Sequence, residues 1–92
     1  MTDYAGMVQE IEISQIQFRE DLYPRFEANQ AAIQKYSNSL EFLPPIKVNQ
    51  NGILIDGFHR WKAHQMADQQ TINAEIVETN SEKELKKLAY TS

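Results

Sequence analysis

The residues in this chain best suited to chemistry are Asp56-Gly57-Phe58-His59-Arg60-Trp61, and the chemistry they suit is anion binding. A short apolar run, Gly52-Ile53-Leu54-Ile55, reads as a strand that turns at Gly57 into a helix predicted over Phe58 to Ala67. The first turn of a helix leaves backbone N–H groups without intrahelical acceptors and carries the positive end of the helix dipole. A glycine there lets the backbone approach an anion closely. Arg60 adds a planar fork of donors matched to phosphate oxygens. A guanidinium in the first turn opposes the dipole unless an anion or a carboxylate compensates it, so phosphate binding competes with a salt bridge to a neighbouring acid. His59 either donates to phosphate or hydrogen-bonds a backbone carbonyl. Asp56 is read first as the helix cap. Trp61, Phe58 and Tyr23 either stack on a base or fill the core, and His64 reads as structural or exposed.

Elements on both sides must position this turn. Val8 to Ile13 alternates in the manner of a half-buried strand, and Ser14-Gln15-Ile16 reads as a turn. Gln17 to Arg25 follows neither period and is expected to be an ordered loop that packs Phe18, Leu22 and Tyr23 on the domain, with Pro24 biasing Tyr23 toward extended backbone. Phe26 to about Leu40 favours a helix starting near Glu27 to Asn29, with Ala32, Ile33, Tyr36 and Leu40 on its apolar side and Pro44-Pro45 ending it. Ile46-Lys47-Val48 and Ile53-Leu54-Ile55 flank Asn51-Gly52, a tight-turn pair in which both residues tolerate positive φ. In the helix from Phe58, the residues Ala63, Met66 and Ala67 form a small, flexible stripe suited to packing on a sheet. Thr71 to Val77 alternates as a strand. Ser81 with Glu84 makes a capping box for a last helix carrying Leu85, Leu88 and Ala89 on one face. That face either packs back on the sheet or belongs to the N-terminal part of a longer protein, and the second is preferred. The expected fold is α/β (α+β): residues 1–92 as a single domain, with a small mixed sheet of about four strands and packed helices.

Composition narrows the chemistry. The apolar fraction of 41% and charged fraction of 24% are those of an ordinary globular domain. Nine Lys and Arg face thirteen Asp and Glu, a net charge of −4, which lacks the basic excess of a DNA-binding surface. A local cluster drawn from Arg25, Lys47, Arg60 and Lys62 would still serve a nucleotide. The chain has no cysteine, so disulfides, thiolate metal sites and cysteine nucleophiles are excluded. His59 and His64 are spaced so that they do not share a helical face, so no metal site is expected. No apolar run approaches the roughly 20 residues of a membrane span. The N-terminus lacks a signal peptide, so no membrane partner and a cytoplasmic location are expected.

The order of these segments, Tyr23-Pro24-Arg25, then Pro44-Pro45-Ile46-Lys47-Val48, then the Asn51-Gly52 hairpin, then Asp56-Gly57-Phe58-His59-Arg60-Trp61-Lys62-Ala63, then Ile72 to Val77, closely resembles the ParB N-terminal domain of the ParB/sulfiredoxin superfamily, also known as the ParB-like nuclease domain. The resemblance covers roughly Val8 to Ala89. It implies a nucleoside triphosphate ligand, CTP or ATP with Mg²⁺, whose phosphates are held by Gly57, His59 and Arg60, with Arg25 as a second anion contact. Partition proteins of this superfamily use CTP as a switch, while sulfiredoxins and free-serine kinases use ATP. Partition proteins typically carry Arg where this chain has His59, and their further Glu-Asn-rich nucleotide motif would lie beyond Ser92. Sulfiredoxins place their reactive cysteine where this chain has Phe58, which excludes that activity.

The resemblance therefore implies a nucleotide-binding module of a DNA-partition or transcription-control protein, able to form a homodimer and reaching DNA through regions outside this chain. Two alternatives stand beside it. One is a phosphotransferase, nucleoside triphosphatase or nuclease-like enzyme of the same fold, with Asp56 or Glu20 serving a metal or accepting a proton. The other is a protein-interaction domain whose nucleotide site has degenerated.

Overall fold

The computed structural model describes residues 8–23 and 27–91. Its four strands are β1 (Val8–Glu12), β2 (Ile46–Val48), β3 (Leu54–Asp56) and β4 (Thr71–Ile76), and its three α-helices are α1 (Gln30–Ser37), α2 (Phe58–Met66) and α3 (Glu82–Thr91). The sheet order is β1-β4-β2-β3, with β1 antiparallel to β4, β4 parallel to β2, and β2 antiparallel to β3. The parallel β2–β4 pair requires a crossover, which α2 supplies.

The expected hairpin is present, but its turn is broader than the Asn-Gly pair alone implies. Gly52 N–H donates to Asn49 O at 3.0 Å and Asn49 N–H to Ile53 O at 2.9 Å. Gly52 takes positive φ (80°), whereas Asn51 does not. The Asn49 side chain sets this geometry, because its Oδ1 accepts from the N–H groups of both Asn51 and Ile53 at 2.9 Å and so spreads the turn over four residues. A Cβ on Gly52 would lie 2.7 Å from Gln15 O, so the turn also depends on close backbone approach.

Helix α1 begins as expected at the Asn29 cap, whose Oδ1 accepts from Ala32 N–H at 3.0 Å. It ends at Ser37, short of Leu40. Ser37 Oγ donates back to Gln34 O and is followed by Asn38 and Ser39, residues that compete with helical hydrogen bonds, so Leu40–Phe42 forms a separate 3₁₀ turn before the prolines. Helix α2 closes with Gln69 N–H on His64 O and Asp68 N–H on Gln65 O, around Asp68 in the left-handed region (φ 58°).

Two apolar clusters hold the layers together. Trp61 of α2 packs with Ile46, Val48, Leu54, Ile72, Ala74, Ile13 and Ile16. Leu85 and Ala89 of α3 pack with Leu22 and Ile55. Neighbouring residues of β3, Leu54 and Ile55, therefore serve different clusters. The last helix packs its apolar face back on the sheet through Leu85 and Ala89, beside β3. In α2 the face turned to the sheet differs from the expected stripe. Trp61 and Ala63 are buried while Met66 is 48% exposed, because the large Trp61 ring takes the sheet-facing position.

Candidate functional site

The junction between β3 and α2 is built on Gly57. It is the N-terminal cap of α2, with φ 106° and ψ 31°, and it offers no capping side chain to the first turn. A Cβ at this position would lie 2.6 Å from Ile46 Cγ2 and 2.9 Å from Arg60 Nη2. Gly57 is thus required twice, for its backbone conformation and for the close passage of β2. The first intrahelical bond, Trp61 N–H to Gly57 O at 2.9 Å, leaves the amides of the first turn directed out of the helix end.

Asp56 does not cap this helix. Its Oδ2 accepts from Arg60 Nη2 at 3.3 Å, an i, i+4 ion pair in which the Arg60 side chain is only 17% exposed. The left-handed Gly57 separates Asp56 from the first turn and turns its carboxylate toward the guanidinium. Arg60 Nη1 donates to Pro45 O at 3.0 Å and Pro44 O at 3.3 Å. A carboxylate and two carbonyls therefore offset the unfavourable placement of this cation near the positive helix end. Of the five guanidinium hydrogens, these bonds use three, leaving Nε–H and one Nη2 hydrogen for an anion.

His59 joins α2 to α1, its Nε2 accepting from the backbone N–H of Asn29 at 2.9 Å. The ring proton is therefore on Nδ1. His64 lies one turn on, with Nδ1 2.8 Å from Arg60 O, a local helical contact consistent with a structural role. Beneath the turn, Phe18 stacks on Tyr23 at 5.2 Å between ring centroids and packs on Phe58 at 4.7 Å, while Phe58 meets Trp61 edge-on at 5.8 Å. Trp61 is core. The Tyr23 hydroxyl lies 2.9 Å from Leu54 O and 2.5 Å from Ile55 O, sharing one proton between the carbonyls that precede Asp56. Burial first, and the Asp56 charge second, push this hydroxyl up to about 12.

Asp56, Gly57, His59 and Arg60 thus meet at one junction. Arg25 lies outside the described residues. Glu20 sits exposed in a 3₁₀ turn, Glu20–Leu22, and no hydrogen bond or ion pair joins it to the 56–60 junction. Lys47 is exposed, opposite Asp56 on β3 and Glu75 on β4. Lys62 Nζ lies 4.8 Å from the Trp61 ring centroid. Among the described residues no group of three or more His, Asp or Glu could hold a metal ion, and no helix is long and apolar enough to cross a membrane.

Two further positioning contacts have no local sequence signal. Arg19 grips Glu82 of α3 through Nη1 and Nη2, each at 2.6 Å, and Asp21 through Nη2 at 2.7 Å. These bonds hold both carboxyls below the usual range. Glu82 is far from Arg19 in sequence, so no spacing rule could reveal the pair. The Pro44 and Pro45 carbonyls are likewise invisible as acceptors until β2 is placed beside α2.

The family model of the ParB N-terminal domain matches residues 2–90. No curated protein sequence matches the chain. Among solved structures, the chromosome-partitioning protein ParB from Caulobacter crescentus, C-terminally truncated and complexed with CTP-gamma-S, superposes with a TM-score of 0.74 at 25% identity, over 91% of this chain and 51% of that one. The same protein complexed to the centromeric parS site superposes with a TM-score of 0.67 at 25% identity, over 88% and 44%. Sulfiredoxin from Arabidopsis thaliana shares the fold, with a TM-score of 0.67 at 24% identity over 79% and 86%. The chain thus spans about half the length of the partition proteins it matches. With its mixed four-stranded sheet, its helices and the family match over nearly its whole length, this chain belongs to the ParB N-terminal domain family.

Proposed function

We propose that this chain is a nucleotide-binding module that holds the phosphates of CTP, with Mg²⁺, at the Gly57–Arg60 turn. The observation that carries this reading is the β3–α2 junction itself. A glycine cap in the left-handed region leaves the first helical turn without a capping side chain, and Arg60 is fixed beside it with two hydrogens to spare. The likeness to a partition protein complexed with CTP-gamma-S supports cytosine as the base. Arg25 is assigned the second anion contact on the family resemblance, and Mg²⁺ enters with the triphosphate, held chiefly by phosphate oxygens. The likeness to the parS complex supports a partition or transcription-control protein that engages DNA through segments outside this chain. The acidic balance of the chain agrees with that division of labour.

The ion pair of Asp56 with Arg60 favours an anchoring role for this carboxylate over a proton acceptor. Calorimetric titration of the chain with CTP and with ATP, each with Mg²⁺, tests the proposal. CTP should bind saturably and more tightly than ATP. Arg60→Ala should weaken binding by about 10-fold or more, as expected for loss of charge-assisted bonds to phosphate. Equal affinity in wild type and Arg60→Ala would place the ligand elsewhere.

A further inference from the structure

We infer that the open edge of β1 takes up an extended peptide of alternating basic and uncharged residues, adding it to the sheet as a further strand. In the order β1-β4-β2-β3, β1 is an edge strand on the opposite side of the sheet from β3 and the Gly57 junction, so this site is separate from the phosphate turn. Ile13 N–H donates to Gln70 O at 2.9 Å, one step beyond the pair of Glu12 with Thr71. Antiparallel partners alternate between hydrogen-bonded and non-hydrogen-bonded pairs, so Gln9, Ile11 and Ile13 bond to β4, while the N–H and C=O groups of Val8, Glu10 and Glu12 point away from it. Among the described residues no strand pairs with that outward row. Proteins commonly blunt such an edge with proline, a bulge or charge. β1 has no proline, and its register with β4 is unbroken from Val8 to Glu12. Charge remains, and it lies on one face only.

The register puts exposed Val8, Glu10 and Glu12 on the face away from Trp61, and Gln9 and Ile11 on the face shared with Ile72 and Ala74. On that second face lies a cleft of about 650 Å³, floored by Ile11, Val48 and Ile76 and rimmed by Gln9, Gln15 and Gln17, with no charged side chain in its lining. A strand added at β1 sends alternate side chains to the two faces. Those over Gln9 and Ile11 must be uncharged, because no group in the cleft neutralises a charge, while Glu10 and Glu12 draw Lys or Arg to the other face. A second copy of this chain does not suit the edge, since pairing through β1 would set Glu10 and Glu12 of both chains on one face of the joint sheet. Main-chain bonds to Val8, Glu10 and Glu12 supply affinity, and the two unlike faces supply selectivity.

The test titrates the protein with a capped peptide of about seven residues alternating lysine and threonine, long enough to span β1, and follows the protein amides by NMR. Saturable shifts should centre on Val8 to Glu12, with the amides of Gly57 to Arg60 unmoved. A peptide with glutamate in place of each lysine should bind about tenfold more weakly or not at all, because like charges then meet Glu10 and Glu12. Glu10→Pro removes an outward N–H that the β1–β4 ladder does not use, and should cost about tenfold in affinity for the lysine peptide. In unaltered protein, N-methylation of the peptide at alternate residues, either at the lysines or at the threonines, should cause a loss of the same size in one of the two phases. No saturable shift at millimolar peptide, shifts centred on another surface, or equal binding of the glutamate peptide would overturn the inference. So would undiminished affinity for both N-methylated peptides.

Discussion

Nε2 of His59 accepts a hydrogen bond from the backbone N–H of Asn29, so the second residue of α2 holds the residue that caps α1. The bond fixes the imidazole as the neutral tautomer protonated at Nδ1. Nitrogen-15 NMR of the imidazole should show Nε2 as the hydrogen-bond acceptor. His59→Ala should lower stability by about 1 kcal/mol, the net worth of one hydrogen bond, because the exposed Asn29 N–H can return to water.

Gly57→Ala puts a Cβ into the left-handed region and within 2.6 Å of Ile46 Cγ2. Ile46 is fully buried and cannot move aside. Urea unfolding should show a loss of about 1–3 kcal/mol, the range for a strained backbone conformation, with the steric clash adding to it. An unchanged midpoint would mean that the junction relaxes by another route.

Arg19 links the loop before Pro24 to the start of α3. Its hydrogen bonds depress the carboxyls of Glu82 and Asp21 in the folded chain. Groups with depressed folded values stabilise fully above the ordinary carboxylate range, and that contribution is lost as pH falls through their folded values. Arg19→Gln should therefore lower the unfolding midpoint at neutral pH, and the gap from wild type should close in acid. Because these groups are exposed, added salt should also narrow the gap.

Tyr23 titrates at the opposite end of the scale. With the folded value raised to about 12 and an unfolded tyrosine near 10, the unfolded chain gives up its proton first. The contribution is intact below about pH 10 and disappears as pH rises toward about 12. Tyr23→Phe should cost about 1 kcal/mol at neutral pH through the lost hydrogen bond and remove this alkaline dependence. Ultraviolet titration of phenolate formation reports the raised value directly.

Elements with strong local signals could be read from sequence. Alternation announced β1 and β4, Asn51-Gly52 announced the hairpin, and Ser81 with Glu84 announced α3, where Glu84 N–H does bond Ser81 Oγ at 3.1 Å. The reciprocal bond of that box goes from Asn80 N–H to Glu84, one residue earlier than the motif implies. Asp56 was misread because capping depends on the backbone of the next residue, and a left-handed Gly57 is not specified by its type alone. The extent of α1 was misread because Ser37 to Ser39 carry helix-stopping hydrogen bonds that apolar periodicity ignores. The support of Arg60 by the Pro44 and Pro45 carbonyls, and the Arg19–Glu82 pair, depend on which strands and helices become neighbours. Tertiary packing decides that, and local spacing does not.

A two-dimensional NMR titration with CTP and Mg²⁺, following the amides of Gly57, Phe58, His59 and Arg60, addresses the phosphate turn itself. Saturable shifts concentrated at these four amides, larger for CTP than for ATP and lost in Arg60→Ala, are the predicted result. Amides that stay still at millimolar nucleotide, or shifts confined to another surface, would contradict it.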